Sequence, residues 1–348
     1  MTQYDVAIAG AGPAGSATAI ALARGGARVA VWDPRPSRVV VGESLVPSAR
    51  TLLAELGVWE RFLADGHAPC YGNLSAWGSS ELAEQDFIRS PYGHGWHLDR
   101  GRFDGTLREA AREAGAAFVE ELPSARWAVD ATGRASAVAR GRGVKRIVCD
   151  RLVAFFATCR SESGTDEESR TLVESAAEGW WHTARLPEGT RVVTWFTDGD
   201  LGAPASSRPV RRLPGGPGET RRQDAAGPAG WKPALRLTTH VSRALSEHGY
   251  VQCGDVRSAD ARSARLERFH GEDWIAVGDA ALSFDPISSQ GILSALYSGV
   301  KAANAILSGG LEAYDSAMTS LWDAFSVNQK AVYAVETRWR TPFWQRRL

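Results

Sequence analysis

Cysteine is scarce and scattered: four residues in 348, Cys70, Cys149, Cys159 and Cys253, with no Cys-x-x-Cys pair among them. That pattern supplies neither a cysteine-ligated zinc site nor a disulfide framework, so no metal is expected and the thiols read as those of a reduced, cytoplasmic protein. An excess of charge is missing as well, with 40 basic against 40 acidic residues and a formal net charge of zero. No global field therefore favours nucleic acid or an anionic membrane as a partner. Lysine is rare, four residues against 36 arginines, a bias we read as genomic base composition. The single long uncharged run, residues 6–23, is mostly Ala and Gly, contains Pro13, follows Asp5 and lacks a basic leader. It reads as a strand, a turn and a helix, so neither a membrane span nor an export signal is expected. No internal repeat is visible.

What is present is ordinary globular composition, 44% hydrophobic and 23% charged, in a chain long enough for about two domains. Its most informative segment is Asp5-Val-Ala-Ile-Ala-Gly-Ala-Gly-Pro-Ala-Gly-Ser16. The apolar positions read as a buried strand. Gly10 permits a tight turn, Gly12 lets backbone N–H groups approach a pyrophosphate, and Gly15 lets the following helix pack on the strand. Pro13 and Ala14 complete the turn at the helix start. Asp33 ends the next apolar run, 18 residues after Gly15, where a ribose hydroxyl would be bound.

A strand from Val39 leads to Gly42-Glu-Ser44, and a helix begins at Pro47 with Leu52, Leu53, Leu56, Phe62 and Leu63 at helical spacing. A further helix with Leu107 and Ala111 spans residues 103–114, and residues 127–134 form a strand ending in a glycine turn. From residue 147 the texture changes to strand-forming runs such as Leu152-Val-Ala-Phe-Phe-Ala157, separated by turns. The organisation expected is a dinucleotide-binding part over residues 1–146 with a substrate-side segment at about 66–98, then an antiparallel-sheet substrate domain over 147–270. Residues 271–309 return to the first domain, and residues 310–348 form a helical C-terminal region. Within 199–233, 13 of 35 residues are Gly or Pro with arginines interspersed, which reads as a mobile surface loop or a lid.

The return segment carries a second motif. Gly278-Asp279 ends a strand, where a carboxylate can accept hydrogen bonds from ribityl hydroxyls. Asp285-Pro-Ile-Ser-Ser-Gln-Gly-Ile292 then enters a long helix, 290–307. The free N–H groups around Gln290, Gly291 and Ile292, preceded by Pro286, can stabilise negative charge on a reduced flavin. A plain turn with a serine cap is the alternative for that loop.

Four motifs occur in order: Gly10-x-Gly-x-x-Gly15, Gly42-Glu-Ser44, Asp130-Ala-Thr-Gly-Arg134, and Gly278-Asp279 with Asp285-Pro286. Together they resemble the FAD-dependent monooxygenase and halogenase superfamily of the p-hydroxybenzoate hydroxylase fold, over roughly residues 4–345. The resemblance implies an α/β architecture: a Rossmann-like FAD-binding domain, an inserted antiparallel β-sheet substrate domain and a C-terminal helical region. It implies FAD as cofactor, Glu43 and Ser44 bordering the flavin, and Arg100 contacting its ribityl–phosphate region. A surface salt bridge with Asp104 is the alternative for Arg100. Halogenases similar to this chain carry a catalytic lysine some tens of residues beyond Gly-Glu-Ser. Here no lysine precedes Lys145, and the matching segment reads Cys70-Tyr-Gly-Asn-Leu-Ser-Ala-Trp-Gly78. Arginine stays protonated and is a poor substitute. Ser288 stands where tryptophan halogenases have a glutamate, and Trp180-Trp-His-Thr-Ala-Arg-Leu-Pro187 only echoes their Trp-x-Trp-x-Ile-Pro signature.

A narrower resemblance rests on Gly72-Asn-Leu-Ser-Ala-Trp-Gly-Ser79, Gly93-His-Gly-Trp-His-Leu-Asp-Arg100, Gly179-Trp-Trp181 and the aromatic–arginine ending. These phrases are similar to flavoproteins that mature cysteine tryptophylquinone enzymes by hydroxylating a tryptophan of a partner polypeptide. Residues 118–130 depart from the fold, leaving little room for the strands usual before Asp-Ala-Thr-Gly. The implied chemistry is hydroxylation of an electron-rich aromatic ring through a flavin C4a-hydroperoxide, with O2 as co-substrate. No second glycine fingerprint is visible, so electrons are expected from NAD(P)H through a separate flavin reductase or by transient docking. His97 and His182 are the candidate acids or bases, because His titrates near working pH; satisfied structural histidines are the alternative. Trp77, Trp96, Trp180 and Trp181 either stack on an aromatic substrate or belong to the core. Halogenation, double-bond reduction of the geranylgeranyl-reductase type and a non-catalytic flavin-bound scaffold remain the competing readings.

Overall fold

The computed structural model describes residues 3–33, 44–200 and 230–348. The described residues form two compact units. The first takes those up to Gly72, then Asp86–Asp150 and Arg262–Val332; the second takes Asn73–Gln85, Arg151–Ala261 and Tyr333–Leu348.

The first unit is built on a five-stranded parallel sheet in the order Trp274–Ala276, Ala125–Asp130, Tyr4–Ala9, Val29–Trp32, Ala117–Val119. Val6, Ala7, Ile8 and Ala9 are all buried, which is why this strand reads as continuously apolar: both faces of a parallel sheet are covered. The Ala-rich helix Pro13–Arg24 packs against Gly291–Ser308 at short range. A Cβ on Gly299 would lie 2.6 Å from the Ala14 carbonyl oxygen and 3.0 Å from the Ala17 Cβ. Small residues on both helices are thus a condition of their approach. Residues 120–124 alone link Ala117–Val119 at the sheet edge to Ala125–Asp130, across two intervening strands of the sheet, with no further strand along the connection.

The segment from Pro47 is not one helix but two, Ala49–Glu55 and Trp59–Ala64. Gly57, at φ +60°, takes the left-handed conformation that ends a helix. The expected strand from Val39 falls largely outside the described residues; Ser44–Leu45 is its described end, paired with Gly95–His97. The Gly/Pro-rich stretch likewise lies mostly outside them, and a helix, Trp231–Arg236, already begins within its expected C-terminal end.

The second unit carries a seven-stranded sheet in the order Tyr250–Asp260, Leu152–Ser161, Arg191–Asp198, Gly179–Arg185, Thr171–Ala176, Gly72–Ala76, Ala83–Asp86. Its long central strands pair antiparallel, whereas Thr171–Ala176 and Gly72–Ala76 run parallel. One face is closed by helices Trp231–Arg236 and His240–Glu247, whose Trp231, Val241 and Leu245 join Leu74, Leu172, Trp181, Val193 and Trp195 in a core. Glu174 accepts the N–H groups of Thr239, His240 and Val241, so a buried carboxylate caps the second helix. Among the described residues no helix is long and apolar enough to cross a membrane.

Candidate functional site

The glycine turn is dictated by contacts that only glycine tolerates. Gly10 has φ +108°, and a Cβ there would lie 2.2 Å from the Ala131 carbonyl oxygen. A Cβ on Gly15 would lie 1.9 Å from the Gly10 carbonyl oxygen. Gly12 then starts helix Pro13–Arg24 with no side chain bonded to its first N–H groups and no acidic residue in its first turn. Those donors, including the N–H groups of Ala14 and Gly15, are left for an anion, as a pyrophosphate requires. Asp33 directly follows the neighbouring strand Val29–Trp32, whose Trp32 carbonyl accepts the Gly10 N–H at 2.7 Å.

Gly278 brings the second motif to the first. Its φ is +57°, and a Cβ there would lie 2.7 Å from the Ala14 Cβ. The Gly278 N–H donates to Ser298 Oγ at 2.8 Å. The adjacent Asp279 carboxylate is partly exposed and pairs with Arg134 Nε at 3.3 Å. Arg146 holds the turn from behind, donating to the Asp279 and Ala280 carbonyls and to Ser136 and Ser283. The Asp130 carboxylate accepts from Thr132 and from the Ala139 N–H, and so shapes the turn that aims Arg134.

Asp285, buried, accepts from the Ile287 N–H and from Gln329 Nε2, which fixes the Pro286–Ser288 turn. Gln290 then begins helix Gly291–Ser308, again with no side-chain cap and no acidic residue in the first turn. The Gln290 N–H donates to Ser288 Oγ at 3.3 Å, so the first unit offers two helix starts with open N–H groups, one at Gly12–Gly15 and one at residues 291–292, with a carboxylate at Asp279. Pyrophosphate, ribityl hydroxyls and an electron-rich ring edge are the groups such a donor set fits, which is the chemistry of FAD.

Other expected residues fall as follows. Ser44 pairs with His97 in a short sheet. Glu43 lies outside the described residues. Arg100 forms the ion pair with Asp104, at 3.2 Å, and the pair is buried rather than on the surface, at 11% and 6% side-chain exposure. His97 is buried within strand Gly95–His97, opposite Ser44 and Ala68. His182 belongs to the second unit and is half-buried. Burial, with the Arg191 cation adding to it, brings the His182 imidazole down to about 4. It is neutral at pH 7, so the expectation that it titrates near working pH is corrected. Trp96, Trp180 and Trp181 are core residues; Trp180 donates to the Tyr333 hydroxyl at 3.0 Å, and Trp77 is half-buried against Trp180.

Sequence reading missed Arg146 and Gln329. Each acts on a partner far along the chain, 133 residues for Arg146 and Asp279 and 44 for Gln329 and Asp285, so no local pattern marks it.

The FAD binding domain family matches residues 3–308. The putative FAD-dependent oxidoreductase LodB of Marinomonas mediterranea is 30% identical over 383 residues, covering 100% of this chain and 97% of that protein. Among solved structures, the myxobacterial chondrochloren halogenase CndH superposes with a TM-score of 0.84 at 21% identity, covering 99% of this chain and 85% of that one. The peptidyl tryptophan dihydroxylase QhpG superposes with a TM-score of 0.74 at 23% identity, covering 99% and 78%. At those identities the two structures establish the shared fold. Family match, full-length relative and donor geometry agree: the chain belongs to the FAD binding domain family and is an FAD-dependent oxidoreductase.

Proposed function

We propose that this oxidoreductase is a monooxygenase that hydroxylates an electron-rich aromatic ring borne by a small molecule, a carrier or a partner polypeptide. The observation that carries the reading is the absence of any lysine before Lys145, in a fold shared with halogenases. Halogen transfer in similar proteins needs an amine beyond the Gly-Glu-Ser region. Residues 70–78 supply none, and a guanidinium that stays protonated does not replace it. The likeness to QhpG, a peptidyl tryptophan dihydroxylase, supports a tryptophan residue of a polypeptide as the substrate.

Bound and reduced, FAD supplies the activation of O2 for transfer of one oxygen atom to the ring. In this reading the Gly10–Gly15 turn and Asp33 hold the adenosine and pyrophosphate end. Asp279, oriented by Arg134, accepts from the ribityl chain. Gly291 and Ile292 direct N–H groups at the flavin edge that becomes anionic, beside Gln290, whose own N–H is held by Ser288. Glu43, Ser44 and Arg100 border the same cofactor. His182, neutral at pH 7, holds a proton donor of the substrate rather than delivering a proton. Electrons come from NAD(P)H through a separate flavin reductase.

The test is oxygen consumption by the FAD-loaded chain, reduced by an added flavin reductase, with tryptophan-containing peptides as substrates. Oxygen uptake matched by product one oxygen atom heavier is expected. Product without oxygen, or oxygen uptake yielding only hydrogen peroxide with every substrate, contradicts the proposal.

A further inference from the structure

The seven-stranded sheet of the second unit has two unlike faces. Side chains alternate along a strand, and cross-strand partners share a face. Trp181, Thr183, Val193 and Trp195 therefore point to the face closed by helices Trp231–Arg236 and His240–Glu247. His182 stands on the opposite face. Its direct partner on the next strand is Thr194, whose own partner beyond is Phe156; on the other side His182 is opposite Val173. One row thus reads Phe156, Thr194, His182, Val173: an aromatic and an aliphatic side chain flanking two polar ones.

Neither polar member is satisfied within this row. Thr194 is 1% exposed, and its Oγ1 has no hydrogen-bond partner among the described residues. Buried hydroxyls are almost always paired, because losing water without a replacement is costly, and each exception calls for an explanation. His182 makes no hydrogen bond among the described residues either. The Arg191 cation, whose field bears on it, is taken up by Asp166, at 2.6 Å and fully buried. The arrangement places a hydroxyl that both donates and accepts beside an imidazole with one donor and one acceptor nitrogen.

We propose that His182 and Thr194 form a two-point polar subsite that holds an uncharged aromatic substrate through a ring N–H or O–H group, with Phe156 as the apolar wall. The proposal rests on the reading of the chain as an aromatic hydroxylase and specifies how that substrate is recognised. The imidazole, held neutral by burial with Arg191 adding to it, accepts the ring N–H or phenolic O–H. The Thr194 hydroxyl bonds the same group or its neighbour. A charged ring substituent at this point finds no counter-ion and bears the full cost of losing water. His182 and Thr194 bind and orient; no bond is made or broken on either.

The test is calorimetric binding to the full chain loaded with FAD, with indole and phenol as probes and 1-methylindole, which lacks the N–H, as control. The wild type is expected to bind indole or phenol at least about tenfold more tightly than 1-methylindole, the scale of one well-made hydrogen bond. Thr194→Val keeps the shape and removes the hydroxyl; His182→Phe keeps a ring and removes both nitrogens. Each should weaken indole about tenfold and leave 1-methylindole unchanged. Thermal unfolding separates this from a structural role: Thr194→Val removes an unmet buried hydroxyl, so its midpoint should hold or rise.

Equal wild-type affinity for indole and 1-methylindole, no binding of indole or phenol, or full indole affinity in both variants overturns the subsite. The hydroxylase reading fails separately. Indole bound as described but never oxygenated refutes the chemistry and leaves the subsite standing; oxygenation with affinity unchanged in both variants does the reverse.

Discussion

Asp279 is the residue on which the cofactor reading turns, and its carboxylate is not left alone: Arg134 pairs with it while Arg146 holds the backbone beneath it. Because the Asp279 side chain is 37% exposed, water screens the pair, and its removal should cost about 1 kcal/mol, roughly a fivefold loss of FAD affinity. Arg134→Ala is expected to show that loss by fluorescence titration of FAD, with Arg134→Lys recovering part of it; an unchanged dissociation constant in the alanine variant contradicts the assignment. His182 gives a second prediction at this scale. Its imidazole is at about 4 in the folded chain against an ordinary 6.5, so protonation favours unfolding. The stability it contributes is complete above pH 6.5 and is lost as the pH falls toward 4. Urea titrations at stepped pH should show the wild type losing stability faster than His182→Gln across that window. Identical slopes would mean that the imidazole is not held neutral.

Elements carry the next set of constraints. The two helices that begin at residues 13 and 291 approach through Gly299, where a Cβ would press on the Ala14 carbonyl. Gly299→Leu should force them apart, costing about 1–3 kcal/mol and weakening FAD binding with it, because both uncapped helix starts shift. Stability measured with FAD and without it checks the coupling; a variant equally stable and equally tight contradicts it. At the other end of the chain Glu336 accepts from Gly78, Ser175 and Arg338. Burial pushes its carboxyl up, but the Arg338 guanidinium and the other donors prevail and bring it to about 2. Its stabilisation is therefore complete above pH 4.5 and lost as the pH falls toward 2, a window below that of His182. Glu336→Gln should lose about 3 kcal/mol at neutral pH, measured by denaturant unfolding, and flatten the acid limb of the wild-type curve.

What the sequence made legible at this scale is contiguous. Gly10, Gly12 and Gly15 specify a turn within six residues, and continuous apolar runs specify buried parallel strands. What it hid is set by distance and register. That Thr194 faces His182 depends on how two strands align, and a slip of one strand by one residue would put the two on opposite faces. Gly57 divides an otherwise helical pattern because a single left-handed residue outweighs the apolar spacing on either side.

At the scale of the whole molecule, the family match and the donor geometry of the first unit rest on independent grounds. One comes from similarity along the chain and the other from hydrogen-bond accounting at two helix starts. They meet on FAD. The proposed reaction rests on what the same sequence omits: the lack of a lysine before residue 145 is the ground for proposing oxygen rather than halide as the atom transferred. The direct measurement is a single reaction of the FAD-loaded, enzymatically reduced chain with a tryptophan-containing peptide under isotopically labelled dioxygen and excess bromide, read by mass spectrometry. Product carrying label from the gas and no bromine is the predicted result. A brominated product, or a peptide that never acquires the labelled oxygen, would contradict the account.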